Sequence, residues 1–238
     1  MSGIFHFKQF KIDQANCAMK VNTDGVLLAA LAEFGSPVKI LDVGTGTGLI
    51  ALMLAQKYPL AWIQAVEIDQ NAANTAKANF SSSPFSNRLE LFHSSIKDHF
   101  INGDEKYDLI ISNPPFFINS LNSPNLEKGI ARHTDISFFE LLLTESVRHL
   151  TSTGHLCMIL PLETAALLKK MLSGAPGALK VQKEILIYSF PQSKPHRVIL
   201  VLGFEPLATV RQELVIYESK GVYSEVYSNL LKDYLTIF

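Results

Sequence analysis

The chain has 238 residues, 47% of them hydrophobic, and a formal net charge of −1. That hydrophobic content is sufficient for a substantial core, and we expect one folded domain over residues 1–238. The charge excludes the strongly basic overall field of many nucleic-acid-binding proteins, although it leaves room for a local basic patch.

Cysteine spacing and hydropathy exclude several further classes. Cys17 and Cys157 lie far apart and outside any cluster with metal-ligand spacing, so we expect neither a disulfide framework nor a metal site. No apolar run reaches about 18 residues, and the N-terminal segment interleaves lysines with its apolar residues. We therefore predict a cytoplasmic protein without membrane contact. A monomer is a separate expectation.

Strand and helix signals alternate along the chain. A hairpin is predicted over 4–12, and a helix begins at Thr23 and stops at Gly35. A capping box of Ser137 and Glu140 predicts the start of another helix, which runs to residue 150. The other helices are predicted over 49–57, 69–79, 162–172 and 225–235. Strands are predicted over 38–43, 61–68, 89–92, 107–112, 155–160, 179–188, 198–204 and 214–217.

This order of elements predicts an α/β fold with a doubly wound, mostly parallel sheet. The loop between strands 179–188 and 198–204 is too short for a crossover helix. These two strands should therefore pair antiparallel near the C-terminus.

A glycine-rich loop follows the first predicted sheet strand, in the stretch ILDVGTGTGLI. Gly44, Gly46 and Gly48 lie between a strand and a helix, where backbone often approaches a ligand closely, although a tight turn is the alternative. The spacing lacks the final Gly or Ala of a dinucleotide fingerprint, which argues against NAD. Glu67 ends the next strand, 19 positions after Gly48 (67 minus 48). A carboxylate there can accept both ribose hydroxyls of an adenosine ligand, or it is a solvated glutamate before a helix.

The stretch DLIISNPPFF ends an apolar strand in Asn113, Pro114, Pro115 and Phe116. The two prolines fix two φ angles and remove two N–H donors, so backbone carbonyls are left rigid beside a side-chain amide and a phenyl ring. In the alternative interpretation, Asn113 caps a turn and Phe116 fills the core. The strand order brings this stretch and the glycine loop to one cleft at the sheet edge.

The stretches LDVGTGTG and VEID resemble the cofactor site of the Rossmann-like class I methyltransferases, which use S-adenosylmethionine. The resemblance implies that Asp42 and Gly44 lie near the methionyl end of the donor and that Gly46 and Gly48 line the loop. It also implies that Glu67 binds the ribose. Many family members hold the adenine amino group with an aspartate, and the matching position here is Ser95.

With a methyl donor in the cleft, NPPF fits the methylation of a planar amine. Such an amine is a poor nucleophile, and the Asn113 side-chain oxygen and the Pro114 carbonyl can accept its two hydrogens. Pro115 keeps these acceptors rigid, and Phe116 offers a ring for an unstacked base. The motif also occurs in methyltransferases that act on guanine amino groups and on protein glutamine.

The chain resembles bacterial tRNA-Val adenine-37 N(6)-methyltransferases over nearly its whole length. Five stretches carry this resemblance: FKQFKIDQANCAMKVNTDGVLLAALA, LIISNPPFF, KGIARHT, KPHRVIL and the C-terminal LVIYESKGVYSEVYSNLLKDYL. The resemblance implies tRNA as substrate. It also implies that residues 1–36 cap the cofactor and target cleft, with Lys20, Thr23 and Asp24 closing over it, although TDG can equally be a helix cap. Four residues are candidate phosphate contacts, or else belong to solvated loops and local salt bridges: Arg132, His133, His196 and Arg197.

Two alternatives stay open at this point. A protein glutamine or rRNA guanine methyltransferase would share the cofactor and NPPF motifs, but release-factor methyltransferases carry a separate helical N-terminal domain that 37 residues cannot supply. A cofactor-binding RNA-binding module without activity would keep the fold, but it would not need Asn113 beside two prolines.

Overall fold

The computed structural model describes residues 3–15, 17, 19–101, 103–114, 127–173 and 179–238, with the backbone alone for residues 127–135. Its strands are β1 (Ile4–His6), β2 (Lys11–Asp13), β3 (Lys39–Val43), β4 (Trp62–Glu67), β5 (Leu89–His93), β6 (Tyr107–Ser112), β7 (Leu150–Leu160), β8 (Lys180–Tyr188), β9 (Arg197–Gly203), β10 (Val210–Val215), β11 (Tyr217–Ser219) and β12 (Val222–Tyr223). Its helices are α1 (Thr23–Leu31), α2 (Leu49–Lys57), α3 (Gln70–Ser81), α4 (Ile96–Ile101), α5 (Glu127–His149), α6 (Leu162–Ser173) and α7 (Glu225–Leu231).

Eight strands form one sheet in the order β10-β8-β9-β7-β6-β3-β4-β5. Strand β9 pairs antiparallel with both β7 and β8, whereas β10 pairs parallel with β8 and the strands from β7 to β5 are parallel to one another. The predicted doubly wound, mostly parallel sheet is therefore confirmed, as is the antiparallel pair near the C-terminus.

The sheet is buried on both faces, which explains the continuous apolar runs of its central strands. Because neighbouring side chains alternate between faces, Ile40 and Leu109 belong to one apolar cluster while Leu41 and Ile110 belong to another. The first cluster includes side chains of α1, α2, α3 and α7. The second includes side chains of α4, α5 and α6.

The predicted start of α5 at Ser137 was wrong, because the helix already begins at Glu127. No proline falls between residues 127 and 149, so nothing in the backbone forces a start at Ser137. The S-x-x-E spacing that indicated a capping box also places Ser137 and Glu140 about one turn apart within a continuous helix.

Two other predictions need correction near the ends of elements. The strand predicted over 214–217 is β10 at Val210–Val215, which is followed by the small hairpin of β11 and β12. The helix cap near TDG is Asn22, whose side chain accepts a hydrogen bond from the Gly25 N–H, rather than Thr23 or Asp24. Helix α4 was not predicted, since it has only six residues.

Candidate active site at the carboxyl edge of the sheet

The candidate site lies where the strand order reverses. Strand β3 pairs with β4 on one side and with β6 on the other, so successive strands are added to the sheet on one side of β3 and then on its other side. The carboxyl ends of β3, β4 and β6 carry the glycine loop, Glu67 and Asn113, respectively. Ligands of open α/β sheets bind at such a reversal point.

The glycine loop between β3 and α2 requires its glycines. Gly44, Gly46 and Gly48 have φ angles of 70°, 58° and 86°, a region that other residues rarely adopt. A Cβ on Gly48 would lie 2.5 Å from the Phe80 ring, so this glycine also permits close packing against α3. A Cβ on Gly44 or Gly46 would meet nothing within 4 Å. These two glycines therefore present bare backbone to open space.

Glu67 is buried, with 8% of its surface exposed, and it holds the glycine loop in place. One carboxylate oxygen accepts a hydrogen bond from the Gly46 N–H at 2.8 Å, and the other accepts one from the Asp69 N–H at 2.9 Å. The interpretation of Glu67 as a solvated residue before a helix was therefore wrong. Each oxygen keeps a second lone pair for a further donor.

Asp42 is fully buried beneath the loop. Its Oδ2 accepts hydrogen bonds from the Thr45 hydroxyl at 2.6 Å and the Ala51 N–H at 3.2 Å, whereas its Oδ1 has no partner among the described residues. Burial raises the pKa of the Asp42 carboxyl to about 7, against the two hydrogen bonds, which lower it. An unpaired buried carboxylate oxygen is costly, which makes Asp42 a candidate ligand-binding group.

Asn113 follows β6 and lines the same cleft as the glycine loop. Its side chain is 9% exposed, and its Oδ1 also lacks a hydrogen-bond partner in the part of the chain that the structure describes. An amide that caps a turn would have such a partner for its Oδ1, so the described residues do not support the interpretation of Asn113 as a turn cap. Pro114 is buried beside it, while Pro115 and Phe116 lie outside the described residues.

The N-terminal segment contributes one wall of the cleft. Lys20, Asn22 and Gly25 line it together with the glycine loop and Asn113. Thr23 is exposed at the first position of α1 and is not among the lining residues. The structure thus brings Lys20 to the predicted site, whereas the predicted contact of Thr23 stays a prediction.

Asn79, which was not predicted as a site residue, joins three parts of this wall. Its side-chain amide donates hydrogen bonds to the Thr47 carbonyl in the glycine loop and to the Asp13 carbonyl in β2, both at 2.9 Å. Its Oδ1 accepts one from the Asp13 N–H. The sequence did contain a signal for this role. Asn79 follows Ala73 and Ala76 at intervals of three residues, which places a polar amide on the buried face of α3.

Ser95 lies near the end of β5, at the position that resembles an adenine-binding aspartate. Its hydroxyl accepts a hydrogen bond from the Asp98 N–H at 3.1 Å and donates one to the Asp98 carboxylate at 2.6 Å. The hydroxyl therefore caps α4 in the described structure. This S-x-x-D cap was the sequence signal for the helix, and the predicted adenine contact stays a prediction.

The candidate phosphate contacts have different surroundings. Arg197 forms an ion pair with Asp24, with 2.7 Å between Nε and Oδ2, and its guanidinium also donates to the His196 carbonyl. Desolvation and the neighbouring Arg197 lower the pKa of the His196 side chain. The side chains of Arg132 and His133, on α5, lie outside the described residues. Asp24 is thus paired with Arg197, and its predicted closure over the pocket stays a prediction.

No group of three or more His, Cys, Asp or Glu side chains among the described residues could hold a metal ion. Over the same part of the chain, every helix is too short or too polar to cross a membrane. Cys17 and Cys157 are free and buried.

Comparison with solved structures identifies the fold. A predicted O-methyltransferase from Agrobacterium tumefaciens superposes with a TM-score of 0.67 at 20% identity, over 89% of this chain and 96% of that one. TrmN from Thermus thermophilus superposes with a TM-score of 0.56 at 21% identity, over 76% of this chain and 48% of that one. The fold is that of the class I methyltransferases, as predicted.

Sequence comparison identifies the family. The family model described as methyltransferase small domain matches residues 21–189. The tRNA1(Val) (adenine(37)-N6)-methyltransferase of Pedobacter heparinus is 45% identical over the full length of both chains. The proteins of the same name from Bacteroides thetaiotaomicron and Haemophilus influenzae strain Rd are 38% and 37% identical, over 97% and 98% of this chain and 96% and 99% of theirs. The chain therefore belongs to the methyltransferase small domain family and, within it, to the family of these tRNA1(Val) (adenine(37)-N6)-methyltransferases.

Proposed function

We propose that this protein transfers the methyl group of S-adenosylmethionine to the exocyclic amine of an adenine in tRNA, with position 37 of tRNA-Val as the target. One observation carries the proposal. A bare-backbone glycine loop, a buried loop-holding carboxylate at Glu67 and a buried amide with an unpaired oxygen at Asn113 meet at one sheet edge. The full-length similarity to the tRNA1(Val) (adenine(37)-N6)-methyltransferases supports tRNA adenine as the target over protein glutamine and guanine.

The donor fits the chemistry of the groups in and beneath the glycine loop. The sulfonium of S-adenosylmethionine supplies an electrophilic methyl group, and its methionyl amine is cationic. Asp42 offers a carboxylate oxygen without a partner, which suits such positive charge. Gly44 and Gly46 leave room for close approach to the loop. Glu67 keeps lone pairs for ribose hydroxyls beside its two backbone hydrogen bonds.

Asn113 and Pro114 would then prepare the target amine. The lone pair of an adenine amine is delocalised into the ring, so the amine needs acceptors for its hydrogens rather than a strong base. The unpaired Asn113 Oδ1 is one acceptor of this kind, and the Pro114 carbonyl would be the second. Because both are fixed before reaction, they stabilise the developing positive charge on nitrogen without reorganising.

Several finer assignments belong to the proposal and stay predictions. They are a single domain over residues 1–238 with a cap over residues 1–36, and donor contacts from Lys20, Thr23, Gly48 and Ser95. Asn113 also lies at the donor site, but its contact adds little to donor affinity because its main role is toward the target amine. The other predictions are rigidity from Pro115, base stacking on Phe116, and phosphate contacts from Arg132, His133, His196 and Arg197. A monomeric state and a cytoplasmic location are also predictions.

The function is tested by analysing modified nucleosides. Mass spectrometry of tRNA from a deletion strain should show a loss of N(6)-methyladenosine, which returns when the gene is restored. The purified protein should transfer methyl groups to unmodified tRNA but not to DNA or release factor. Transfer to release factor instead of tRNA would support the glutamine alternative, and binding of the donor without transfer would support the non-catalytic one.

A Glu67→Ala variant should lose donor affinity. The substitution removes the predicted ribose contact and releases the Gly46 N–H, so we expect binding to weaken by about tenfold to a hundredfold, since hydrogen bonds to charged groups contribute roughly 1.5–3 kcal/mol. Wild-type protein should show a donor-dependent rise in melting temperature that the variant largely lacks.

Calorimetry with S-adenosylmethionine measures the affinity, and Glu205→Ala is the control because Glu205 is exposed and follows β9 at the edge of the sheet opposite the cleft. Glu67→Gln, which keeps one oxygen acceptor, should be intermediate. Equal donor affinities for Glu67→Ala and wild type would refute the ribose role.

A further inference from the structure

A column of aromatic rings stands at the same edge of the sheet as the candidate site. We name Phe190, Tyr217, Tyr223 and Tyr227 the aromatic column. Successive ring centroids lie 5.6, 4.9 and 5.1 Å apart, with interplanar angles of 31°, 22° and 13°. Tyr227 is buried at one end, and Phe190 is 39% exposed at the other. The column thus runs from the core to the solvent.

The exposed end of the column is held by backbone hydrogen bonds. The Ser193 hydroxyl donates to the Phe190 carbonyl at 2.8 Å and accepts from the Phe190 N–H at 3.1 Å. The Tyr217 N–H donates to the Ser189 carbonyl at 3.0 Å, which joins the loop to β11. Core packing accounts for Tyr227, whereas Phe190 keeps 39% of its surface exposed at the solvent end of the column. These bonds hold the backbone of Phe190 and its ring packs against Tyr217, so the ring has less conformational entropy to lose on binding than a freely rotating side chain.

The topology places Phe190 on the active-site side of the molecule. Residues 189–196 connect the carboxyl end of β8 to the start of β9, and β9 is antiparallel to its neighbours. This loop therefore lies at the same edge as Asn113. Strands β6, β7, β9 and β8 are successive neighbours, so three spacings of ~4.8 Å put the loop about 14 Å from the end of β6. A few nucleotides of unpaired RNA can cover that distance.

The charges around the column are mixed. Lys194 and Lys220 are exposed near Phe190 and Tyr217 in the chain, but so is Glu218. A contact here must therefore depend mainly on stacking and only secondarily on phosphate attraction. Unpaired RNA bases stack on aromatic rings with little sequence preference.

We propose that the aromatic column, through Phe190, is a stacking site for an unpaired base of the RNA substrate close to the methylated nucleotide. The inference rests on the proposed function, because it takes the anticodon loop of a tRNA as the occupant. It adds a second point of attachment that fixes the substrate's register relative to Asn113. The ligand class is a nucleobase in single-stranded RNA.

The test is direct binding of unmodified tRNA to the full-length protein loaded with S-adenosylhomocysteine. Phe190→Ala should raise the Kd for tRNA by about tenfold, whereas Phe190→Tyr should stay within about twofold of wild type because its ring can still stack. Leu60→Ala is the matched control, since Leu60 is an apolar side chain, 87% exposed, that precedes β4 at the opposite edge. Unchanged melting temperatures would show that each variant is folded.

A fluorescent purine analogue beside the target position gives a second readout. Its emission should be quenched on binding to wild type and to Phe190→Tyr, but not to Phe190→Ala. If wild type methylates tRNA and Phe190→Ala binds tRNA equally well, the stacking site is wrong and the proposed function stands. If wild type transfers no methyl group to tRNA, the proposed function is wrong, whatever the Phe190 variants do.

Discussion

An Asn113→Ala protein should bind the methyl donor nearly as well as wild type and transfer the methyl group about a hundredfold more slowly. The amide is buried and its Oδ1 has no partner among the described residues, so its hydrogen bond is available to an incoming amine. That bond strengthens as the amine nitrogen becomes tetrahedral, which makes its loss a loss of transition-state stabilisation. Removing one such preorganised partner typically costs roughly 3 kcal/mol.

Single-turnover methyl transfer to unmodified tRNA measures the chemical step, and calorimetry with the donor measures binding. Asn87→Ala serves as the control, because Asn87 is an exposed amide in the 3₁₀ turn Ser86–Arg88. Wild-type turnover in Asn113→Ala would rule out the acceptor role. A loss of donor binding in proportion to the lost rate would instead assign Asn113 to the donor alone.

The sheet could be predicted from the sequence because its strands are short apolar runs bounded by turn residues. Strand β6 and helix α2 were predicted with the bounds that the structure gives. The strand is followed by the two prolines of NPPF and the helix is preceded by the glycine loop, and both motifs interrupt regular secondary structure. No such motif directly precedes Ser137, and the start of α5 predicted there was wrong. The start of α5 was placed ten residues too late (137 minus 127), since local capping spacing cannot reveal that a helix continues upstream.

The positions of the glycine loop, Glu67 and Asn113 were also predictable, because parallel strands bring their carboxyl ends to one edge. The hydrogen-bond and ion-pair partners of the residues in and around the site could not be predicted. The hydrogen bond from the Gly46 N–H to Glu67 joins residues 21 positions apart. The Asp24–Arg197 ion pair joins residues 173 positions apart. Such pairs depend on the three-dimensional register of strands and helices, which hydrophobic periodicity does not encode.

Replacing Asp42 by asparagine should stabilise the folded protein at alkaline pH. Burial raises the pKa of the Asp42 carboxyl to about 7, whereas the pKa of an unfolded aspartate is about 3.9. An acid whose pKa is raised by folding costs stability as the pH rises, because the unfolded state releases its proton first. The cost begins near pH 4, grows until about pH 7 and is constant above that value.

Asparagine keeps an oxygen that can accept from Thr45 and Ala51 without carrying charge. We therefore expect Asp42→Asn to gain about 2–4 kcal/mol in unfolding free energy at pH 8 but only about 1–2 kcal/mol at pH 5. Urea unfolding at both pH values measures the difference. Asp104→Asn is the control, because it makes the same chemical change at an exposed side chain outside the core.

The same Asp42→Asn protein should bind the donor more weakly, by about tenfold, as calorimetry at pH 8 would measure. A buried carboxylate that lowers stability and leaves Oδ1 unpaired is expected where binding of a cationic ligand requires it. A variant that gained stability and kept wild-type donor affinity would refute the predicted methionyl contact. A variant that gained no more stability at pH 8 than at pH 5 would show that the carboxyl does not titrate as its burial implies.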